Sequence, residues 1–281
     1  MKLLTLNTHS LQETNMAQKQ DLFCAWIENE QPDIIALQEV NQNMDAPAAD
    51  DLACALVWKP EQAILREDNH GLALARRLAK AGLHYEWAWL PMKIGYDRYD
   101  EGLAIFSRKK ILKTENLLAS KIDTYTDFRT RRILGVQTED GWFYSIHLSW
   151  WNDPHEPFAL QWQRLLPQLE KHSKDSPVYL LGDFNSDAFL PGESADLVRQ
   201  SGYFDTYVLA KKKDAGYTVG GVIDGWENQP QSGPKRIDQI WAGHKENVTD
   251  SRVVFNGEKE PVLSDHYGLL VEIDDSRGAH E

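Results

Sequence analysis

Side chains able to hold a metal ion or a phosphate stand at the ends of short apolar runs along this chain. Leu3-Leu4-Thr5-Leu6 ends at Asn7, Ile34-Ile35-Ala36-Leu37-Gln38 at Glu39, and Trp142-Phe143-Tyr144-Ser145-Ile146 at His147. Val178-Tyr179-Leu180-Leu181-Gly182 releases Asp183 and Asn185, Ile237 and Ile240 flank Asp238, and Asp265-His266 precede Tyr267-Gly268-Leu269-Leu270-Val271. Taken alone, Gly-Asp-x-Asn reads equally well as an ordinary turn, because Asp and Asn side chains cap their own backbone. The ordered set points to chemistry instead. Hydrolysis of a phosphate ester needs a base for the attacking water and positive donors where charge builds on the phosphoryl oxygens. Magnesium, a hard cation, takes oxygen ligands and few carboxylates. Neither paired cysteines nor closely spaced histidines offer a zinc site.

Such residues must be carried by strands that end at one rim. Residues 2–7, 34–38, 102–107, 111–119, 131–138, 142–148 and 178–182 read as strands, with two more closing the chain. Helices are expected over 17–29, where Leu22, Phe23, Trp26 and Ile27 share a face, and over 71–81, ending at Gly82. A helical pattern from Glu156 to His172 should kink or restart at Pro167, and another helix near 193–200 stops at Gly202. Many short strands with few helices predict an α/β fold of two packed sheets with helices outside. Residues 41–69 read as a long acidic loop and 205–235 as an irregular excursion containing the solvated run Lys211-Lys212-Lys213.

Three loop stretches suggest a substrate. The stretch from Lys93 to Glu101, which includes Tyr96 and Arg98, is either a solvated hairpin turn or a substrate-facing loop. Arg129-Thr130-Arg131-Arg132 is a local basic cluster whose arginines, Arg131 and Arg132 foremost, either grip a phosphate with paired donors or make surface ion pairs. Trp150 and Trp151 follow His147 closely, and adjacent indoles there cannot easily both point inward.

The 281 residues carry a formal charge of −13, which argues against a large nonspecific nucleic-acid surface. Cys24 and Cys54 give no disulfide framework. No secretion signal or membrane-length apolar run is visible, so a cytoplasmic location without a membrane partner is expected. The motifs run through one domain over 1–273, with a frayed acidic tail over 274–281.

In their order, Leu6-Asn7, Leu37-Gln38-Glu39-Val40, Ile146-His147-Leu148, Gly182-Asp183-Phe184-Asn185, Arg236-Ile237-Asp238-Gln239-Ile240 and Ser264-Asp265-His266 resemble the endonuclease/exonuclease/phosphatase superfamily. The resemblance implies a four-layer α/β/β/α sandwich of two mixed sheets. It also implies a Mg2+ site, open to Mn2+, with Glu39 as principal ligand and Asn7 and Asp265 at or near the metal. Asp183 then matches the residue set against the attacking water, with Asn185 beside it. His147 and His266 match donors to the phosphoryl oxygens, and Asp238 the partner that orients His266 and raises its pKa.

Further likeness lies in His147-Leu148-Ser149-Trp150-Trp151-Asn152-Asp153, in Tyr96-Asp97-Arg98-Tyr99-Asp100-Glu101-Gly102 and in Asp224-Gly225-Trp226. These resemble the bacterial maltose 6'-phosphate phosphatases, implying a small phosphorylated sugar as partner, with Trp150, Trp151, Tyr96, Arg98 and Trp226 against it. Three readings stand: a magnesium-dependent phosphomonoesterase, a phosphodiesterase on nucleic acid or a phospholipid headgroup, and a non-catalytic carbohydrate-binding module.

Overall fold

The run Ile34–Gln38 is apolar without alternation because both faces of its strand are covered. Odd and even residues go to different layers: Ile35 and Leu37 join Leu4 and Leu6 under the helices, whereas Ile34 and Ala36 join Leu3 in the core between two sheets. The computed structural model describes residues 1–50, 54–221, 223 and 233–274. Trp226 and residues 275–281 of the expected tail lie outside the described residues.

In chain order the first sheet takes β1 (Lys2–Asn7), β2 (Ile34–Gln38), β3 (Gln42–Asn43), β4 (Leu56–Trp58), β5 (Glu86–Gly95) and β6 (Tyr99–Ser107). The second takes β7 (Lys113–Leu118), β8 (Arg132–Thr138), β9 (Gly141–His147), β10 (Val178–Asp183) and β11 (Phe204–Asp205). Three of the last four strands, β12 (Lys212–Lys213), β14 (Val248–Val254) and β15 (Gly268–Ile273), return to the first sheet, and β13 (Asp238–Ala242) joins the second. The orders are β12-β14-β15-β1-β2-β6-β5-β4, with β3 on β6, and β11-β13-β10-β9-β8-β7. Both sheets are mixed, β1 lying parallel to β2 and β9 parallel to β10.

Helices α1 (Met16–Glu30) and α2 (His70–Lys80) cover the first sheet, and α3 (Phe158–Ser173) and α4 (Ser194–Gln200) the second. A short α5 (Thr206–Leu209) follows β11. The four expected layers are therefore present. Pro167 neither stops nor restarts α3. It sits on the solvent face beside exposed Gln163, where water can take the carbonyl left without a donor, while Phe158, Trp162, Leu165 and Leu169 hold the buried stripe. The stretch 93–101 is mostly strand: β5 runs to Gly95 and β6 begins at Tyr99, leaving a tight turn at 96–98.

At one end the sheets are tied by polar groups. Gln38 donates to Ser145 Oγ at 3.0 Å, and Ser145 donates to the Leu37 carbonyl at 3.1 Å. This fixes the end of β2 against β9, and the two rims face each other across a cleft.

Candidate active site

Strand register assembles one wall of that cleft. Asp183 at the end of β10 lies in register with His147 on parallel β9 and with Asp238 on antiparallel β13. The preceding residue must be glycine: Gly182 has φ 153°, and a Cβ there would stand 2.0 Å from the Ile146 carbonyl oxygen. Asp183 Oδ1 accepts the Asn185 backbone N–H at 2.7 Å. Its Oδ2 accepts from Asn7 Nδ2 at 3.2 Å and lies 3.7 Å from His147 Nε2 and 4.0 Å from His266 Nε2. One carboxylate oxygen thus sits among three nitrogens.

Behind His266, Nδ1 lies 2.9 Å from Asp238 Oδ2, and Thr218 Oγ1 holds the Asp238 backbone N–H at 3.0 Å. The chain Asp238–His266–Asp183 is buried throughout. The Asn185 side chain donates to the Leu148 carbonyl at 2.9 Å. That bond fixes its amide at the mouth of the site.

From the first sheet, β1 and β2 end together, so Asn7 lies beside Gln38 with Glu39 next along the rim. Glu39 holds a left-handed backbone, φ 52°, and one of its oxygens accepts from Asn7 Nδ2 at 3.0 Å. Asp265, half-buried on the loop before β15, has Oδ1 3.8 Å from His9 Nδ1.

These surroundings separate the titrating groups. Burial pushes Asp183 up to about 7, and Asp238 adds to the rise. Burial alone would depress His266, but the charge and hydrogen bond of Asp238 outweigh it and raise the imidazole to about 10. His147 goes the other way: burial, then the charges of Arg131, Lys93 and His266, hold it well below the usual histidine range. His266 is therefore the charged donor at neutral pH, and His147 a neutral one.

The cleft has a volume of about 380 Å³, and Tyr96, Phe128 and Trp150 stand at its rim. Trp151 does not join them; it packs on Phe158 with ring centroids 6.1 Å apart. One adjacent indole points out and the other in. The arginine cluster divides as well. Arg129 is held by Asp127 at 2.8 and 2.6 Å, and Arg132 by Asn116 at 3.0 Å and by Asp123. Arg132 shares a β8 face with Leu134 and Val136 and reaches a separate cleft, so it does not line the site as expected. Arg131, one position back, does line it, with Nε and Nη1 buried and without a partner. Arg98 is not among the lining residues; it lies over the Tyr99 ring and donates to Gln12 at 3.3 Å.

The family model described as "Endonuclease/Exonuclease/phosphatase family" matches residues 4–266, a span that takes in every rim residue of this wall. The chain belongs to that family. Its members hydrolyse phosphoric esters and depend on a divalent metal. Among solved structures, an endonuclease/exonuclease/phosphatase family protein from Leptotrichia buccalis C-1013-b is 33% identical with a TM-score of 0.82, over 98% of this chain and 99% of that one. A mannosyl-6-phosphatase from Bacteroides thetaiotaomicron aligns at 15% identity and TM-score 0.65, over 98% of this chain and 99% of that one. A 3' phosphatase from Neisseria, bound to product DNA hairpin, aligns at 21% and 0.62 with the same coverage. The latter two share the fold. No curated protein sequence matches the chain significantly.

The family's metal fits this rim. Glu39 Oε2 is buried without a hydrogen-bond partner, an orphan anionic oxygen that a hard cation would satisfy. Asn7, Glu39 and Asp265 offer oxygens there. Among the described residues, two groups bring three ligand atoms within 4.8 Å of one another: His9, Glu13 and Asp265, and Asp183, Asp238 and His266. The second is the buried chain just described, in which His266 is hydrogen-bonded to Asp238 and faces Asp183 at 4.0 Å, better suited to moving charge than to holding an ion.

Sequence reasoning missed His9, Glu13 and Phe128, and it met Lys93 and Glu101 only as the ends of a possible substrate-facing loop, without a role for either. His9 lies 2.9 Å from Glu13, which outweighs the effect of burial and, with Asp265, raises it to about 9. Its position two residues beyond the strand-end Asn7 was the available signal. Among the described residues no helix is long and apolar enough to cross a membrane.

Proposed function

We propose that this family member is a magnesium-dependent phosphomonoesterase that releases phosphate from a small phosphorylated sugar such as maltose 6'-phosphate. The observation that carries the reading is the cleft itself: Glu39, Asp183, His147 and His266 converge on one small volume whose mouth is aromatic. A non-catalytic sugar-binding module has no need for a buried Asp238–His266–Asp183 chain.

Asp183 takes the base role. Its raised pKa sets it near neutrality, where a carboxylate is basic enough to accept a proton from water and about half of it is ionised. His266, kept charged by Asp238, donates to a phosphoryl oxygen, and His147 and Asn185 donate beside it without adding charge. Glu39, with Asn7 and Asp265, would hold the divalent ion, which would supply Lewis-acid polarisation of a phosphoryl oxygen. Water adds to phosphorus as its proton passes to Asp183, the bond from phosphorus to the sugar oxygen breaks, that oxygen is protonated from solvent to give the sugar hydroxyl, and inorganic phosphate is the second product. Arg131 gives its open guanidinium edge to the phosphate, while Trp150, Tyr96 and Phe128 suit the apolar face of a sugar ring.

Phosphate release from maltose 6'-phosphate in magnesium, abolished by EDTA and restored by magnesium, is the expected result. Release that persists in EDTA would remove the metal from the reaction.

A further inference from the structure

Lys93 sits beside this reaction without a part in it, and its position is built by a defect in the sheet. From Glu86 to Pro91 each residue of β5 faces one on β6, with Trp87 opposite Phe106 on the helix side and Leu90 opposite Leu103 on the inner side. The register then slips between Pro91 and Lys93, so that Lys93 pairs with Glu101. A strand without that extra residue would turn Met92 inward and Lys93 under the helices. The bulge reverses this and delivers the ammonium to the cleft.

Lys93 is 7% exposed and Glu101 is 4% exposed, with Nζ 3.2 Å from Oε1. Arg131 lies close enough to depress the Lys93 ammonium further, after burial, and the same two cations both bear on His147. Two like charges held together in a buried place are costly without a counter-anion. Glu101 supplies one negative charge to Lys93, yet two guanidinium nitrogens of Arg131 remain buried without partners.

We propose that Lys93, aimed by the bulge and held by Glu101, forms with Arg131 a two-cation seat that selects the dianionic terminal phosphate of a monoester over a diester. This rests on the phosphomonoesterase reading above. A monoester brings three terminal oxygens and a second negative charge, enough to occupy both cations. A diester brings two such oxygens, one charge, and a substituent where the third oxygen would lie.

The test is Lys93→Met in the full chain with magnesium, comparing kcat/KM for p-nitrophenyl phosphate and bis-p-nitrophenyl phosphate, together with inhibition by inorganic phosphate. Because a stranded Glu101 could unfold the protein, the double variant Lys93→Met/Glu101→Gln is measured alongside, with thermal melting as the folding control. The seat predicts a fall of at least about thirtyfold for the monoester, less than about threefold for the diester, and at least a tenfold rise in the phosphate inhibition constant. Lys93→Arg should keep most of the monoester preference. Equal losses on both esters in a variant that melts normally, or an unchanged phosphate constant, would overturn it. A wild-type enzyme that prefers the diester would instead overturn the phosphomonoesterase reading, and phosphate inhibition would then decide on Lys93 alone.

Discussion

The inner wall of the cleft and its outer rim are placed by different physics. Asp183, His147 and Asp238 owe their positions to register: three neighbouring strands bring them together through backbone hydrogen bonds. Tyr96, Phe128 and Trp150 owe theirs to turns and loops, and they are 44%, 63% and 36% exposed. The wall is a rigid set of charges in a dry place, where electrostatic effects are large. The rim is an adaptable apolar collar. Chemistry should therefore reside in the first and substrate choice in the second, since loops vary more freely than the strands carrying them.

The largest expected effect breaks the wall. Asp183→Asn should lower turnover by roughly a hundredfold or more, as for loss of a general base, with an unchanged melting curve. Near-normal turnover in a folded variant would remove Asp183 from the mechanism. Asp238→Asn should cost about tenfold to a hundredfold, and the loss should deepen as pH rises from 6 to 8. With Asp238, His266 stays protonated to about 10; without it, burial pulls the imidazole down, so the donor loses its proton as pH climbs. A loss of equal size at both pH values would deny His266 a charged role.

The adjacent indoles sharpen the contrast from the other side. Trp150→Ala should raise KM several-fold for a sugar phosphate and much less for p-nitrophenyl phosphate. Trp151→Ala, which removes packing on Phe158, should instead cost about 2 kcal/mol of stability in denaturant unfolding and leave KM alone. Interchanged outcomes would reverse the assignment of inside and outside.

A smaller effect belongs to the helix layer. Burial holds His70 at about 4, below its ordinary 6.5, with Arg77 adding to the fall. The unfolded chain binds the proton more readily between those values, so the contribution to stability is complete above 6.5 and lost as pH falls toward 4. His70→Gln should narrow the difference in melting temperature between pH 7 and pH 5, read by circular dichroism. Smallest of all, Arg132→Ala should change kcat/KM by less than about twofold, because its guanidinium serves Asp123 and Asn116 outside the cleft.

What could be read from the chain follows the same division. A strand-length apolar run that ends in Asp, His, Glu or Asn marks a rim, and the layering of Ile34–Gln38 follows from its unbroken apolar character. Side-chain direction at a strand's edge leaves no such mark. Arg131 and Arg132 look alike in sequence, and only their alternation where the chain enters β8 sends them to different clefts. Lys93 was hidden for a related reason: Pro91 and the extra residue break the period of β5, so its last residues read as a polar loop. Trp151 turned inward because Phe158 waits beneath it, a contact no local pattern announces.

The measurement that bears most directly on the central claim is initial-rate phosphate release by the wild-type chain in magnesium. Maltose 6'-phosphate and glucose 6-phosphate would be set against bis-p-nitrophenyl phosphate and single-stranded DNA, the diesters read by their own cleavage products. Preference for the disaccharide monoester is the predicted result. Faster cleavage of the diester or of DNA would leave the wall of Asp183, His147 and His266 in place and contradict the substrate assigned to it.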